Sequence, residues 1–188
     1  KRLYYLVACA RRVDEKTEML SFVDELARRH PKSQWRLGAL IWAANDYLLE
    51  NDSASYEPLF RACYESFPGE QRASYCHWKI VWNAYLRRDP RAADLFREHL
   101  KLFPNSDKIE AALFFLGRLS EREGDLPVAR GSYDAIVQRF PGHFYAVMAR
   151  ERLSDRRIAQ ARSGGAGNGL ESFRLPRPST APDFQPAA

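Results

Sequence analysis

The sequence has few cysteines, few methionines and no long apolar run, and each shortage excludes a class of protein. It holds three cysteines, two methionines and four histidines in 188 residues, with a formal net charge of +5. No stretch approaches about 18 apolar residues, the length that spans a membrane as a helix. Cys9, Cys63 and Cys76 form no C-x-x-C pair, so they fit neither a disulfide framework nor a paired metal motif. We expect three buried free thiols.

An initiator methionine is also missing. The opening stretch "KRLYYLVACARR" has the pattern of the middle of an amphipathic helix. We therefore interpret the chain as a fragment, in which case the lack of a signal peptide indicates nothing about the compartment.

Motifs for catalysis, metals and cofactors are missing as well. The four histidines, His30, His77, His99 and His143, lie in separate segments without an H-E-x-x-H pattern, and we expect structural histidines. The glycine-rich stretch "SGGAGNG" follows a predicted helix but precedes none, so it does not predict a phosphate-binding loop. No serine lies in a nucleophile-elbow motif. We predict no catalytic residue, no metal site and no cofactor in this chain.

Positive charge is concentrated near one end. From Ala149 to Arg162, five arginines stand against two acidic residues. This pattern predicts one basic terminal helix with a solvated face, and an anionic partner at this end is the alternative. It does not predict a nucleic-acid interface.

What the sequence does have is a repeat. Pro31, Pro68, Pro104 and Pro141 are separated by 37, 36 and 37 residues, a period typical of stacked helical arrays. Residues 12, 8, 5 and 1 positions before each proline keep the same register and form an apolar stripe along one side of a helix. In chain order they are Met19, Val23, Leu26, His30; Tyr56, Phe60, Cys63, Phe67; Ala92, Phe96, His99, Phe103; and Ala129, Tyr133, Ile136, Phe140.

A second helix follows each proline in the same register. The positions eight residues after the prolines are small and those twelve after are apolar, which suits close packing of two helices. They are Ala39, Cys76, Ala112 and Ala149, then Ala43, Ile80, Leu116 and Leu153. Proline ends each helix because it pushes the preceding residue out of the helical region, and Ser, Asn, Gly or Asp then turns the chain. Each repeat is therefore predicted to be a helical hairpin.

The third repeat matches the tetratricopeptide pattern. Leu113, Leu116, Gly117 and Ser120 have the spacing of its first-helix element, and Ala129 with Tyr133 that of its second. Gly124, Asp125 and Pro127 predict the turn between the two helices. Asp89 with Pro90 predicts the equivalent turn one repeat earlier.

These patterns predict an all-α fold, an α-solenoid of tetratricopeptide-like helical hairpins in a right-handed superhelix. We assign 1–162 to this superhelix, as four helix pairs and a last single helix, and 163–188 to a Gly/Pro-rich linker or disordered tail. Such an array binds an extended ligand or another domain along one wall.

All four tryptophans lie in predicted first helices. For Trp35, Trp42, Trp78 and Trp82 we expect core packing, since an indole is a large apolar group at helical spacing. A glycan-facing role is the alternative for Trp35 and Trp42.

The order of features from "FPNSDKIEAALFFLGRLSEREGD" through Phe144-Tyr145 to "ARERL", followed by a proline-rich stretch, resembles the helical superhelix that precedes the catalytic module of soluble lytic transglycosylases. The resemblance covers about residues 20–155. It implies a periplasmic or cell-envelope enzyme that cleaves peptidoglycan glycan strands and leaves a 1,6-anhydro end. It also implies that the partners are a lysozyme-like module of the same polypeptide and a glycan strand. The family's catalytic glutamate belongs to that module, and we do not assign its role to Glu171, which a proline-rich stretch follows.

Two other functions remain open. One is a non-enzymatic cell-envelope tetratricopeptide scaffold that binds proteins. The other is a cytosolic co-chaperone clamp, which needs inward-facing Lys and Asn side chains. The residues that come nearest to this pattern are Asn45, Lys79, Asn83 and Arg118. Together, these hypotheses select as candidate ligand-binding residues Trp35, Trp42, Lys79, Asn83 and Arg118.

Overall fold

The computed structural model describes residues 1–161, which contain ten helices and no strand. The all-α helical-repeat prediction is confirmed over this range. The helices are α1 Arg2–Arg12, α2 Lys16–Arg29, α3 Gln34–Leu49, α4 Ser53–Ser66, α5 Gln71–Leu86, α6 Ala92–Leu102, α7 Ile109–Glu123, α8 Leu126–Arg139, α9 Phe144–Leu153 and α10 Arg156–Gln160. None of these is long and apolar enough to cross a membrane. The linker predicted at 163–188, with Glu171, lies outside the described residues.

The chain forms two compact units. The first, Lys1–Arg87, holds α1–α5, and the second, Arg88–Ala188, holds α6–α10 in its described part. In the first unit α1 packs on α2 and α3, α2 packs on α3, and α4 packs on α3 and α5. In the second unit α7 packs on α6, α8 and α9, while α10 lies against α8 and α9. The predicted pair of α5 and α6 would join the two units and stays a prediction.

Each proline of the repeat follows directly on the C-cap of a helix, as predicted. The residues at these C-caps, His30, Phe67, Phe103 and Phe140, have φ between −130° and −141° and ψ between 49° and 61°, outside the helical region. This is the conformational restriction that proline places on the residue before it. The helix therefore ends where the sequence predicts.

The apolar stripe before the prolines is the core of both units. Every register residue on it is buried except His30, which is exposed. The prediction that His30 belongs to the core is therefore wrong, because a solvated imidazole at the helix end costs nothing to leave in water. The small residues eight positions after each proline are buried as well. The apolar residues twelve positions after each proline are also buried, except Leu153, which is only partly buried.

Four turns between helices each contain a left-handed residue, and these residues keep the period of the prolines. Asp14, Asn51, Arg88 and Gly124 have φ of 61°, 58°, 57° and 83°. They are 37, 37 and 36 residues apart. The turn predicted at Gly124 and Asp125 is confirmed, and the Asp125 carboxylate accepts a hydrogen bond from the backbone N–H of Val128 at 3.2 Å. One backbone conformation is thus used in four turns, although only one of them has glycine.

This conformation predicts a stabilising substitution. Arg88→Gly should raise the free energy of unfolding by about 0.5 kcal/mol, because a left-handed conformation costs an L-residue about 1–2 kcal/mol and glycine loses somewhat less than that in backbone entropy. Asn51→Gly is the control and should gain less, because asparagine tolerates this conformation. Urea unfolding of the three proteins measures the difference, and a larger gain at Asn51 than at Arg88 would contradict it.

The predicted single basic helix from Ala149 to Arg162 is two helices. α9 ends at Leu153, and Asp155 caps α10 by accepting a hydrogen bond from the backbone N–H of Arg157 at 2.9 Å. Serine and aspartate at this point favour a new helix start over continuation. Arg150 in α9 and Ser154 at its C-cap are exposed, although the equivalent positions of earlier repeats are buried.

The cysteine prediction is wrong at all three positions. Cys63 and Cys76 are buried as expected but form a disulfide with a Cα–Cα distance of 6.2 Å, and Cys9 is free and exposed. The bond joins α4 to α5 across the turn at Pro68. Cys63 stands five residues before this proline, on the apolar stripe, and Cys76 stands eight residues after it, at the small-residue position of the next helix. A C-x-x-C search does not detect such a pair, because stacking brings the two positions together.

Candidate functional site

The most prominent surface feature of the first unit is a group of aromatic rings on α1 and α3. We define the aromatic surface as Tyr4, Tyr5, Trp35 and Trp42. Tyr4 is at its centre, with ring centroids 5.2 Å from Trp35, 4.6 Å from Trp42 and 5.4 Å from Tyr5. Trp35 is 38% exposed and Tyr5 is exposed, while Tyr4 and Trp42 are partly buried. Flat apolar rings are therefore available to a ligand here.

The rings meet because α1 and α3 approach closely at a glycine. Gly38 lies on α3 beneath Tyr4, and a Cβ atom at this position would be 2.8 Å from Cε2 of the Tyr4 ring. That separation is shorter than carbon atoms tolerate. Glycine thus leaves the space that the tyrosine ring fills between the two tryptophans.

Polar groups border the aromatic surface on one side. A cleft of about 350 Å³ is lined by Ala8, Arg11, Arg12, Trp42 and Asp46. Arg11 donates through Nε to Oδ1 of Asp46 at 2.8 Å, so its guanidinium is fixed, whereas Arg12 is exposed. An indole beside a fixed ion pair offers both a stacking face and hydrogen-bonding groups, which is the composition of many ligand sites.

Two of the predicted ligand-binding residues, Lys79 and Asn83, lie on α5 with local partners. Lys79 Nζ is 5.0 Å from the ring centroid of Tyr75, and the Tyr75 hydroxyl donates to Oδ1 of Asn45 on α3 at 2.6 Å. Asn83 donates through Nδ2 to Oε1 of Glu57 on α4 at 2.8 Å. The two hydrogen bonds join α5 to α3 and to α4, and they hold these polar side chains in place. Asn45 and Lys79, two of the residues that a co-chaperone clamp needs, thus share a contact with Tyr75.

The structure thus brings together only part of the predicted set. Trp35 and Trp42 share the aromatic surface, and Lys79 lies with Asn45, but Arg118 belongs to the second unit. Tyr4, Tyr5, Arg11, Arg12 and Asp46 were not predicted as site residues. Their signal was present in "RLYYL", two adjacent tyrosines in a first helix, but only the packing of α1 on α3 places them beside the tryptophans.

The expectation that the four tryptophans are buried in the core is wrong. None of the four is buried: Trp35 is exposed, while Trp42, Trp78 and Trp82 are partly buried. On α5 the rings of Trp78 and Trp82 stack at 5.8 Å, and Trp82 stacks on Tyr85 at 5.3 Å. On α3, six of the seven buried positions hold alanine, leucine or glycine, small or slender side chains that suit helices packing closely.

Among the histidines, two have the structural role that we predicted. His77 and His99 are buried, His77 against the ring of Tyr64 and His99 with Nε2 3.2 Å from Oγ of Ser106. His143 lies on the surface with Nδ1 2.8 Å from Oε1 of Glu110. These three rings occupy separate places in the fold.

One acidic group in the described chain has the spacing of a metal site. Oxygen atoms of Asp14, Asp46 and Glu50 lie within 4.8 Å of one another. Each already has a cation beside it, since Lys16 pairs with Asp14 and Glu50, and Arg11 pairs with Asp46. We interpret the group as an ion-pair network that joins α1, α2 and α3.

In the second unit, Glu121 is the centre of a polar contact that joins three helices. The Tyr133 hydroxyl of α8 donates to its carboxylate at 2.6 Å, Arg152 of α9 pairs with it, and Arg118 Nε lies 3.5 Å away. Arg118 is thus engaged in this contact rather than with the other predicted residues. Burial and the adjacent carboxylate raise the pKa of Tyr133 above its ordinary value of 10.0.

The raised pKa of Tyr133 predicts a loss of stability at high pH. Above about pH 10 the unfolded chain releases the phenol proton and the folded chain keeps it, so the free energy of unfolding falls by at most about 1.4 kcal/mol per pH unit. The pKa values of Tyr47, Tyr56 and Tyr145 are also raised by burial and add to the effect. Urea unfolding at pH 8 and pH 11 should show a smaller difference for Tyr133→Phe than for the wild type. Equal differences would contradict the assignment.

Comparison of the chain with models of protein families, with curated proteins and with solved structures found no match.

Proposed function

We propose that this chain is the non-catalytic, tetratricopeptide-like segment of a soluble lytic transglycosylase of the periplasm. In this proposal it braces a lysozyme-like module of the same polypeptide, and its aromatic surface contacts a peptidoglycan glycan strand. The observation that carries the proposal is the aromatic surface itself, with the exposed Trp35 and with Trp42 in a cleft beside the Arg11–Asp46 ion pair. The order of features between residues 104 and 153 supports the family.

The chemistry of a sugar strand suits such a surface. A pyranose ring has an apolar face, which stacks on an indole or phenol ring, and a rim of hydroxyl and amide groups, which needs hydrogen-bonding partners. Tyrosine and tryptophan supply the first at low entropic cost. Arg12 and the Arg11–Asp46 pair supply the second. The array provides the rigid support, because α1 and α3 hold these residues on helices rather than loops.

The disulfide supports a location in the cell envelope. Bonds such as Cys63–Cys76 form and persist in oxidising compartments, among them the bacterial periplasm, and are rare where glutathione or thioredoxin keeps thiols reduced. This observation weighs against the cytosolic co-chaperone clamp. It is equally compatible with the envelope scaffold.

Binding to purified peptidoglycan sacculi tests the proposal. The wild-type chain should sediment with sacculi, and Trp35→Ala/Trp42→Ala should weaken the binding about tenfold or more, since each stacked ring contributes roughly 1 kcal/mol. Phe144→Ala is the matched control, because Phe144 is 70% exposed but lies in the other unit. Soluble oligosaccharides of N-acetylglucosamine should compete. Unchanged sedimentation of the tryptophan variant would contradict the proposed site.

The alternative, a protein-binding envelope scaffold, is favoured by one other observation. Leu49 and Leu86 occupy equivalent positions at the ends of α3 and α5 and are 79% and 61% exposed. Exposed leucines at repeated positions are typical of protein contacts. Sacculi treated with protease distinguish the two functions: retained binding supports a glycan ligand, and lost binding indicates a protein attached to the sacculi.

A further inference from the structure

The disulfide of the first unit is buried, so a thiol or a disulfide donor cannot reach its sulfur atoms in the folded chain. Cys63 and Cys76 are both 0% exposed, and their neighbours one turn away, Phe60 on α4 and Ile80 on α5, are also buried. Disulfide exchange requires a third sulfur atom to approach one of the two sulfurs in line with the bond that breaks. The packed interface of α4 and α5 leaves no path for that approach.

We infer that the two thiols are the substrate of a disulfide-exchange reaction that acts before α4 and α5 pack. The chain is in this sense a client of a protein or small-molecule disulfide donor, and oxidation precedes the completion of its first unit. The inference depends on the burial of the two residues and not on the proposed glycan function. The inference is that oxidation precedes packing, and the presence of the disulfide does not by itself establish this order.

The reaction balances with one donor disulfide. The thiolate of one cysteine attacks the donor, forms a mixed disulfide and releases one donor thiolate. The thiolate of the second cysteine then attacks the cysteine sulfur of the mixed disulfide, which closes Cys63–Cys76 and releases the second donor thiolate. The two chain thiols lose two electrons and two protons, and the donor disulfide is reduced to two thiols.

The third cysteine makes the order of events important. Cys9 is exposed in the folded chain and competes for either partner in the unfolded chain. Cys63 and Cys76 are 13 residues apart, whereas Cys9 is 54 and 67 residues from them. Loop closure therefore favours the native pair by about eight- to twelvefold over either pair with Cys9. Early oxidation, while the turn at Pro68 is the main local contact, selects the native bond.

Thiol counting on the purified full chain tests the inaccessibility. A maleimide should modify one cysteine, Cys9, both in the untreated folded chain and after dithiothreitol without denaturant. It should modify all three after dithiothreitol in guanidinium. Three modified cysteines in the unreduced, denatured chain would show that no disulfide forms, and rapid reduction without denaturant would show that it is accessible. Either result overturns the inference.

An order-of-addition experiment tests the sequence of events. Cys9→Ser is reduced in guanidinium and diluted into buffer, with oxidised glutathione either present from the start or added after helical circular dichroism is constant. We expect the bond to form at least tenfold faster in the first case. If the reduced chain gains helical signal only with the oxidant, oxidation precedes packing and the inference is supported. Equal rates in a chain that is already helical would overturn it.

Discussion

Cys63→Val/Cys76→Ala is expected to lower the free energy of unfolding by about 3 kcal/mol, the stabilisation typical of a disulfide that closes a loop of this length. Valine at 63 and alanine at 76 suit the size of the side chains at the equivalent positions of the other repeats. Alanine is the residue at the position of Cys76 in the other three repeats, and the position of Cys63 holds the apolar Leu26 and Ile136 in two of the others. The loss should therefore come from the missing bond and not from poor packing. Urea unfolding of the oxidised proteins measures it.

Two controls separate the bond from the side chains. Wild type unfolded in dithiothreitol should lose a similar stability, and Cys9→Ser should change it little because Cys9 is exposed. If the double variant is as stable as the oxidised wild type, the disulfide does not contribute to the first unit.

The second large effect is expected at Gly117, where α7 packs closely on α8. A Cβ atom there would lie 2.7 Å from Cε1 and 2.8 Å from Cζ of Tyr133. The Tyr133 ring is 0% exposed and its hydroxyl is bound to Glu121, so it has no free space to move into. Gly117→Val should lower the free energy of unfolding by about 3 kcal/mol, from overpacking together with a weakened hydrogen bond.

Two other glycines provide matched controls. Gly38→Val meets a tyrosine ring at a similar distance, but Tyr4 is only partly buried and can move toward solvent, so a smaller loss is expected. Gly142 has no atom within 4 Å of its Cβ position, and Gly142→Val should change stability least. Any other order of the three losses would contradict the packing described for Tyr133.

The helix boundaries could be predicted because local chemistry decides them. Proline restricts the residue before it wherever it stands, and the period of 36 or 37 residues then repeats the same stop at Pro31, Pro68, Pro104 and Pro141. The apolar stripe follows from helical geometry. His30 was misplaced because register alone does not distinguish the last core position from a helix end that is open to water.

The turn conformations and the disulfide could not be predicted in the same way. A left-handed residue is indicated by glycine at 124 but not by arginine at 88, because nothing in the local sequence marks Arg88 for a positive φ. Cys63 and Cys76 are on different helices, and only the stacking of one repeat on the next makes them neighbours. The sequence contains the register that relates them, five residues before and eight after one proline, but not the contact.

The candidate site was predicted only in part, because the sequence indicates residue types but not which helices pack together. Trp35 and Trp42 were selected as large aromatic residues with a glycan-facing role as the alternative to core packing, and the structure places them on one surface. Tyr4 was missed because its importance arises from the close approach of α1 at Gly38. Arg118 was selected with the co-chaperone clamp residues, but its Nε lies 3.5 Å from the carboxylate of Glu121 in the second unit.

Amide hydrogen exchange of the free chain, measured by mass spectrometry, tests the central claim most directly. That claim is that the chain consists of helices that end at each proline of the repeat. We predict slow exchange in α1–α9, interrupted by fast exchange at 30–33, 67–70, 103–108 and 140–143. Protection that continues through these four segments, or helices that exchange as fast as an unfolded chain, would contradict the account.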